Sequence, residues 1–407
     1  MTADVWLAGV SMTHFGVHPH RSVKSLAAQA VTEALEDADG AVGAIGAAFF
    51  GTTTQGPLQG QHMIAGEIAL RELGMGEIPV FNIENACATG ASAFALAYAQ
   101  VRAGLCDIAL AVGVEKMNIN DTARTMSVFD GAYDVSNPGA LKSTLRILGG
   151  EVDDEDLGRR SVFMDIYAAM ARRHMQLYGT SQEQIAAVAA KNHVHAVDNP
   201  RAYYRRAMSI EDVLAGRRLS YPLTVPMCAP ITDGAAAAIV CNSDGLRKLG
   251  SSRPVRILAV AIGTGTDRDI STFDGHLSTT VSRRAYEQAG IGPEDISVAE
   301  VHDATAFAEV LQTERLGLVP EGQGGPAALS GETSLGGRIP VNPSGGLESK
   351  GHPLAATGLG QVFELTEQLR GTAGSRQVDG ARLALAENGG GFHRGEEAVT
   401  GVIILGR

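Results

Sequence analysis

Apolar residues in the first third of the chain alternate between short continuous runs and helically spaced sets. "DVWLAGVSMTHFG" predicts a short buried strand and a glycine-bearing loop, and "SVKSLAAQAVTEALEDA" carries Leu26, Ala30, Val31, Ala34 and Leu35 at helical spacing. Ser22 or Ser25 is expected to cap that helix. Further runs at "AIGAAFFG", "IPVFNI" and "DIALAVGVEKM" predict strands, with helices between them. This alternation indicates an α/β fold with buried, largely parallel strands.

The second half of the chain repeats the same order of elements. "VSRRAYEQAGI" predicts a helix, "ISVAEVHDATAFAEVLQTERLGL" a strand, loop and helix, and "GRIPVNPSGGLESKGHPLAATGLGQVFELTEQL" a strand, glycine-rich loop and long helix. "ARLALAENGGG" occupies the position of "DIALAVGVEKM", and "AVTGVIIL" closes the chain as a strand. Ile78-Pro79-Val80 recurs as Ile339-Pro340-Val341. The pattern predicts an internal duplication of one α/β unit.

Composition narrows the class of protein. The chain has 407 residues, enough for a large core and more than one domain, and its net charge of −12 argues against nonspecific binding to nucleic acid or anionic membranes. Cys87, Cys106, Cys228 and Cys241 are too sparse for a disulfide framework, and neither a zinc signature nor another metal site is expected. No signal segment or membrane span is evident, which predicts a reduced, cytoplasmic protein.

A different region separates the two halves. It begins after Met117 and contains the acidic loop "GGEVDDEDLG" and two helical stretches, "SVFMDIYAAMARRHMQLYG" and "SQEQIAAVAAKNHVHAV". Residues 159–218 hold 10 Lys and Arg against 5 Asp and Glu, a basic island in an acidic protein. Such a run is usually a solvated face. The alternative is a docking surface for a phosphate-bearing ligand.

Cys87 is the first candidate for chemistry. A free cysteine is commonly a small buried core residue. Cys87, however, follows a predicted strand at the expected first turn of a helix, where the helix dipole and free amides would stabilise a thiolate. The small residues around it, from Ala86 to Ala91, leave room for an acyl group. From the residues alone, both interpretations remain open.

Two histidines lie on loops that the repeat relates to the Cys87 loop. His352 follows a glycine-rich loop equivalent to that of Cys87, so the repeat can place an imidazole beside the thiol. His302 and Asp303 lie where a strand ends and a helix begins. Asp303 could simply cap that helix, or His302 could donate a proton or stabilise an oxyanion.

Five motifs in order resemble the thiolase superfamily. They are "ENACATG", "PLTVPMCAPITDGAAAAIV", "EVHDA", "NPSGGLESKGHPLAATG" and "ENGGG". The resemblance runs from about Trp6 to Leu405 and is nearest to the sterol-carrier-protein-type and archaeal acetoacetyl-CoA-type thiolases.

The resemblance implies a five-layered αβαβα fold with two duplicated halves. The halves would be residues 1–117 with 219–250, and 251–407, around an inserted loop domain, 118–218, that binds coenzyme A. It further implies an acyl-CoA substrate, no covalently bound cofactor, and homodimers or tetramers. Cys87 would be the nucleophile, His352 its base and His302 a holder of the thioester oxygen, with Gly389, Gly390 and Gly391 bordering the substrate pocket.

One departure concerns the second cysteine that many thiolases use as acid/base. Its two usual positions, also in the expected pocket, hold Asn388 and Ala304 here, and Thr305 replaces the usual phenylalanine. Some relatives with His-Asp-Ala are nevertheless active acyltransferases. The leading hypothesis is therefore a thiolase-type acyltransferase that forms or cleaves a 3-oxoacyl-CoA through an acyl-Cys87 thioester.

Three alternatives remain beside it. One is a condensing enzyme like ketoacyl synthase III, using a carrier-protein substrate, although the "GHPLAATG" context favours thiolase. Another is an aldol lyase of the same fold that works with a zinc-ribbon/OB-fold partner, and such a partner is also plausible for the acyltransferase. The third is a non-catalytic scaffold that binds coenzyme A or lipid.

Overall fold

The computed structural model describes residues 4–150 and 161–407, which form a layered α/β structure. The strands in this part of the chain are β1 (Val5–Met12), β2 (Ala47–Gly51), β3 (Val80–Ile83), β4 (Ile108–Glu115), β5 (Arg218–Ser220), β6 (Leu223–Thr224), β7 (Gly234–Asn242), β8 (Val255–Thr264), β9 (Val298–Glu300), β10 (Leu383–Gly390) and β11 (Val399–Gly406). The helices are α1 (Val23–Asp37), α2 (Gln55–Gln59), α3 (Ala65–Arg71), α4 (Thr89–Arg102), α5 (Thr122–Ser127), α6 (Pro138–Ile147), α7 (Val162–Tyr178), α8 (Gln182–Ala196), α9 (Ile210–Leu214), α10 (Ser243–Leu249), α11 (Leu277–Ala289), α12 (Ala306–Arg315), α13 (Gly324–Leu329), α14 (Gly346–Lys350) and α15 (Thr357–Arg370). Short 3₁₀ turns lie between them.

The long strands form two arrays with the same order and directions. The first runs β3-β2-β4-β7-β1, with β2 parallel to β3 and β4, and β7 antiparallel to β4 and β1. The second runs β9-β10-β11-β8, with β9 parallel to β10, and β11 antiparallel to both its neighbours. β10 thus takes the place of β4, as the repeat in the sequence predicts. A two-residue pairing of β1 with β8 joins the arrays.

The equivalent of β3 in the second half is shorter than predicted. "GRIPVN" forms only a parallel bridge between Val341 and Ala299, beside β9. Pro340 cannot donate to a ladder, and Asn342 adopts a left-handed backbone with a φ of 52°, so the strand cannot extend on either side. The Asn342 side chain accepts a hydrogen bond from Val301 instead, at 2.9 Å. The bridge still gives the two halves matching order.

The helices complete five layers. α4 and α15 pack between the two arrays and share one apolar core with both, which includes Phe94 and Leu359. α1 covers the outer face of the first array and α11 that of the second. These layers confirm the predicted αβαβα thiolase fold.

Helix α1 illustrates how the sequence sets an element. Its start is fixed by a reciprocal cap in which the Ser22 hydroxyl accepts from the Ser25 amide and the Ser25 hydroxyl accepts from the Ser22 amide. The five predicted core positions, Leu26 to Leu35 at helical spacing, are all buried. This confirms the predicted helix and identifies Ser22 as its cap.

Between the halves, α7 and α8 form the two predicted helices of the inserted region. They pack on α12 and α13 in a second apolar core, which contains Ile166, Ile185 and Phe307. Most of the acidic loop, and Arg159 and Arg160 of the basic island, lie outside the described residues. In the part of the chain described, no helix has both the length and the apolar character that a membrane span requires.

Candidate active site

Cys87 lies in the loop between β3 and α4. The helix begins at Thr89, so Cys87 precedes it, and the prediction of a thiol in the first helical turn was wrong by two residues. Ala86 just before it adopts a left-handed backbone with a φ of 48°, a conformation that costs an L-residue roughly 1–2 kcal/mol. The Thr89 hydroxyl accepts from the Asn85 amide at 2.8 Å and donates to the Ala86 carbonyl at 2.6 Å, which holds this turn in place.

The thiol of Cys87 is not a stabilised thiolate in the resting protein. Burial and the nearby Glu115 carboxyl raise its pKa to about 12, while the backbone amides of Cys87 and Gly391 act in the opposite direction. Glu115 is itself buried and accepts hydrogen bonds from the amides of Thr53, at 2.6 Å, and Thr54, at 3.1 Å. Burial and Glu115 thus act against the thiolate stabilisation that the sequence predicts at this helix start.

The ring of His352 is held in one tautomer. Its Nδ1 lies 2.7 Å from the Thr357 hydroxyl, which donates to the Pro353 carbonyl at 3.2 Å and so accepts from Nδ1–H. This arrangement leaves Nε2 as the proton acceptor, and that buried atom has no hydrogen-bond partner. The Thr232 hydroxyl accepts from the His352 amide at 2.8 Å and fixes the loop. Burial and then the charge of His302 place the pKa of His352 well below its usual value, so the imidazole is neutral at pH 7.

His302 lies close to both Cys87 and His352. Its ring centroid is 5.1 Å from that of His352, and ligand atoms of Cys87, His302 and His352 all lie within 4.8 Å of one another. Among the described residues, neither of its buried ring nitrogens has a partner at full hydrogen-bond geometry; burial lowers its pKa to about 4, and the Gly389 backbone opposes that shift. A neutral imidazole with a free N–H can donate to an oxygen that gains negative charge. The structure thus brings together the three residues that the sequence singled out.

A thiol and two imidazoles at this spacing are also a possible ligand set for one zinc ion. Ligating histidines usually donate their second nitrogen to a carboxylate or a backbone carbonyl. The Gly389 backbone raises the pKa of His302, as an accepting carbonyl does, whereas His352 uses a threonine hydroxyl. The same thiol and imidazoles are also groups that exchange protons in general acid–base catalysis.

Asp303 has a different partner from the one considered in the sequence. It does not cap α12, whose N-cap is Thr305, and instead its buried carboxyl accepts from the Leu347 amide of α14 at 2.8 Å. Asn192 of α8 also donates to it, at 3.1 Å. Asp303 therefore ties the His302 loop to the segment that leads to His352.

The three residues line a cavity of about 590 Å³. Its wall is mainly apolar and includes Met117, Met126, Phe129, Phe163, Met164, Tyr167, Met208, Leu219 and Val225. Arg206 and Arg217, both exposed, also lie on it. Neither guanidinium makes a hydrogen bond or ion pair within the described residues, which identifies two members of the basic island that the sequence could not single out.

The five predicted pocket residues divide into two groups. Ala304 and Gly391 line the cavity, whereas Asn388, Gly389 and Gly390 lie behind its wall. A Cβ on Gly390 would lie 2.5 Å from both the Ala88 nitrogen and the Asn85 oxygen, so this glycine lets the Cys87 loop pack on β10. The sequence did not identify Thr357 or Glu348, although both lie within five residues of His352.

Comparisons with known proteins identify the family. Residues 5–210 match the model of the thiolase N-terminal domain, and residues 269–407 match the thiolase C-terminal domain-like model. The chain belongs to the thiolase family. The thiolase acetyl-CoA acetyltransferase of Methanothermobacter thermautotrophicus is 39% identical over 395 residues, which cover 95% of this chain and 96% of that protein.

Two further relatives and one solved structure extend this picture. Rat sterol carrier protein 2 is 37% identical over 394 residues, covering 94% of this chain and 69% of the relative. The benzoylsuccinyl-CoA thiolase subunit BbsB of Thauera aromatica is 33% identical, covering 95% and 94%. The Ltp2-ChsH2(DUF35) aldolase superposes with a TM-score of 0.80 at 23% identity, covering 100% of this chain and 98% of the other, and shares the thiolase fold.

Proposed function

We propose that this protein is a thiolase-type acyltransferase that carries its acyl group on Cys87. The observation that supports this most directly is the convergence of Cys87, His302 and His352 within 4.8 Å in one large cavity. Relatives named acetyl-CoA acetyltransferase and benzoylsuccinyl-CoA thiolase favour the same chemistry.

Acylation starts with the Cys87 thiol and the His352 imidazole both uncharged. His352 Nε2 takes the proton of the Cys87 thiol as the sulfur attacks the thioester carbonyl, so a high thiol pKa does not prevent the reaction. His302 donates an N–H hydrogen bond to the oxygen that becomes negative. The acyl group then passes to a carbon nucleophile, or, in the reverse direction, coenzyme A cleaves a 3-oxoacyl-CoA.

The substrate is an acyl-CoA with a bulky apolar acyl group. The methionine and aromatic lining of the cavity suits such a group. Arg206 and Arg217 would bind the phosphates of coenzyme A, because two exposed guanidinium groups without a partner in residues 4–150 and 161–407 are suited to phosphate oxygens. Coenzyme A is then a substrate, and no covalently bound cofactor is needed.

Membership of the thiolase family also supports proposals for the domain boundaries, the compartment, the oligomeric state and a partner protein. We propose the division into two halves, 1–117 with 219–250 and 251–407, around an insertion at 118–218 that binds coenzyme A. We also propose a cytoplasmic enzyme of lipid metabolism that forms homodimers or tetramers. A zinc-ribbon/OB-fold partner is consistent with the lack of a second cysteine at Ala304 and Asn388.

The lack of that cysteine also favours one second candidate, an aldol lyase that works with such a partner. A lyase would cleave a 3-hydroxyacyl-CoA to a carbonyl compound and a shorter acyl-CoA without acylating Cys87. An acyltransferase must form the Cys87 adduct. The two reactions are therefore distinguished by one measurement.

The test is incubation with straight-chain, branched and ring-bearing acyl-CoAs, followed by intact-protein mass spectrometry. One acyl group per chain is expected on the wild type, with stoichiometric release of coenzyme A, and none on Cys87→Ala. Cys106→Ala is the matched control, because Cys106 does not line the cavity and should leave labelling unchanged. An unlabelled wild type, or equal labelling of Cys87→Ala, would contradict the proposal.

A further inference from the structure

Glu348 carries a buried carboxyl group with no hydrogen-bond partner among the described residues. It lies on α14, its side chain is fully buried, and both carboxyl oxygens lack a hydrogen-bond partner. It nevertheless lines the cavity that holds Cys87. A buried polar group without a partner costs on the order of 1–3 kcal/mol, so a function has to explain it.

The charges around Glu348 keep it protonated. Burial, the Asp303 carboxyl and then the Glu309 carboxyl raise its pKa well above the usual value, and Lys191 opposes them. Lys191 is already engaged, since its ammonium lies 2.9 Å from Glu309 and donates to the Val341 carbonyl at 2.8 Å. These surroundings favour the protonated form of Glu348, and no described residue accepts its proton in a hydrogen bond.

Glu348 shares its cavity with a position at which the second cysteine is missing. Ala304, at one of the two positions where related enzymes carry a second cysteine, lines the same cavity. Its neighbour Asp303 binds the amide of Leu347, next to Glu348. The nearby Cys228 is a weaker candidate, because its thiol donates to the Thr224 carbonyl at 3.5 Å and burial raises its pKa.

We propose that Glu348 transfers the proton at C2 of the acyl-CoA, the carbon next to the thioester carbonyl. This inference rests on the proposed acyltransferase function. In the cleavage direction, Cys87 gives its proton to His352 and its sulfur attacks C3 of a 3-oxoacyl-CoA. The C2–C3 bond breaks, its electron pair moves to C2, and C2 takes the proton of Glu348. The shortened acyl-CoA leaves, and the remaining acyl group stays on sulfur.

The second half-reaction returns protons to the Glu348 carboxylate and to the Cys87 sulfur. The incoming coenzyme A thiol gives its proton to the Glu348 carboxylate and attacks the acyl carbon. The Cys87 sulfur leaves and recovers its proton from His352. An acid that is neutral at rest suits cleavage, in which it acts first as a donor.

The test separates transfer at C2 from acylation at Cys87. Wild type, Glu348→Gln and Glu348→Met are incubated in D2O with acetyl-CoA or butanoyl-CoA. Deuterium at C2 is measured by mass spectrometry, and acyl-Cys87 is measured on the same samples. Gln resembles the protonated acid in shape, and Met removes the unpaired group, so at least one variant should fold with an unchanged melting temperature.

Both variants are expected to lose about 10²–10⁴-fold in exchange at C2, the range for removal of a general acid or base. Acylation should fall less than about tenfold, because a thiolate leaving group needs little help from an acid. Exchange within threefold of wild type, or an equal loss of exchange and acylation, would overturn the inference. So would a loss of exchange in Cys228→Ala but not in Glu348→Gln.

Failure of the proposed function has a different signature. If wild-type Cys87 is never acylated, the acyltransferase assignment itself is wrong. If it is acylated but no C2 deuterium appears, the assignment stands and the role of Glu348 is wrong.

Discussion

The imidazole rings of His302 and His352 lie 5.1 Å apart, tilted by 53°, and each has a buried Nε2 without a partner. Proximity makes their protonation mutually unfavourable, and the charge of His302 contributes to the low pKa of His352. When His352 takes the proton of Cys87, the neutral His302 beside it remains free to donate to the substrate oxygen. The pair thus allows two roles that a single histidine could not fill together.

The first prediction is that acylation of Cys87 persists into mild acid. A lowered pKa keeps His352 neutral below its usual titration range, so the rate should stay level between pH 8 and 5.5. The acylation rate at each pH is measured by rapid-quench mass spectrometry of the acyl-enzyme. Circular dichroism at the same pH values is the control for unfolding. A fall centred near pH 6.5 would show that His352 titrates normally.

The second prediction concerns Thr357, which positions His352 through Nδ1. Thr357→Val keeps the shape but removes the acceptor, so the wrong tautomer becomes available and acylation should slow by about 10–100-fold with little change in KM. Thr357→Ser keeps the hydroxyl and should retain most of the rate. An equal loss of acylation rate in Thr357→Ser and Thr357→Val would indicate that Thr357 acts through packing instead.

Residue spacing and order predict most of the architecture and the three central residues. The duplicated order of elements placed the His352 loop opposite the Cys87 loop, and the structure brings both side chains to one cavity. The local dihedrals were not predictable in the same way. That α4 begins at Thr89, and that "GRIPVN" shrinks to a bridge, depends on left-handed residues, Ala86 and Asn342, that ordinary propensities do not indicate.

The shifted pKa values and the unpaired groups of the site could not be predicted either, because they depend on which side chains are buried together. The raised pKa of Cys87 depends on burial and then on Glu115, which lies at the end of β4. The unpaired state of Glu348 depends on Lys191 being engaged by Glu309 across two helices. Such effects arise from side chains far apart in the chain, so only the packed structure reveals them.

The third prediction is that Gly390→Ala disrupts the Cys87 loop. The new Cβ would lie 2.5 Å from backbone atoms of Ala88 and Asn85, which cannot move as a flexible side chain could. We expect a lowered melting temperature and at least a tenfold loss of acylation, since crowding of this kind typically costs about 1–3 kcal/mol. Gly43→Ala is the control, because its Cβ would have no neighbour within 4 Å. A fully active Gly390→Ala would disprove this packing.

The fourth prediction concerns binding of coenzyme A by Arg217. Arg217→Glu should raise the KM for acyl-CoA about tenfold or more, because it replaces an attraction to phosphate with a repulsion. With the matching acyl-pantetheine thioester, which lacks the nucleotide phosphates, the KM should change little. Arg218→Glu is the control, since Arg218 is exposed but does not line the cavity. Equal effects on both thioesters would exclude a phosphate contact.

The last prediction links stability to a buried carboxyl pair behind His302. Burial and then the Glu397 carboxyl raise the pKa of Glu387 to about 8, while burial and the adjacent Glu396 carboxyl raise that of Glu397 to about 7. A raised carboxyl pKa means that the folded state holds protons which the unfolded chain has released. The stabilising effect is therefore complete below about pH 4.5 and is lost as the pH rises through 8.

Glu387→Gln removes this dependence, since a glutamine does not titrate. Between pH 6 and 9 its stability relative to wild type should improve by roughly 2–3 kcal/mol, because the wild-type loss grows by about 1.4 kcal/mol per pH unit only up to the folded pKa of about 8. Urea unfolding at pH 6, 7, 8 and 9 measures it. Glu287→Gln, at an exposed position on α11, should run parallel to wild type throughout. A Glu387→Gln curve that also runs parallel would mean that Glu387 is already ionised in the folded protein at pH 6.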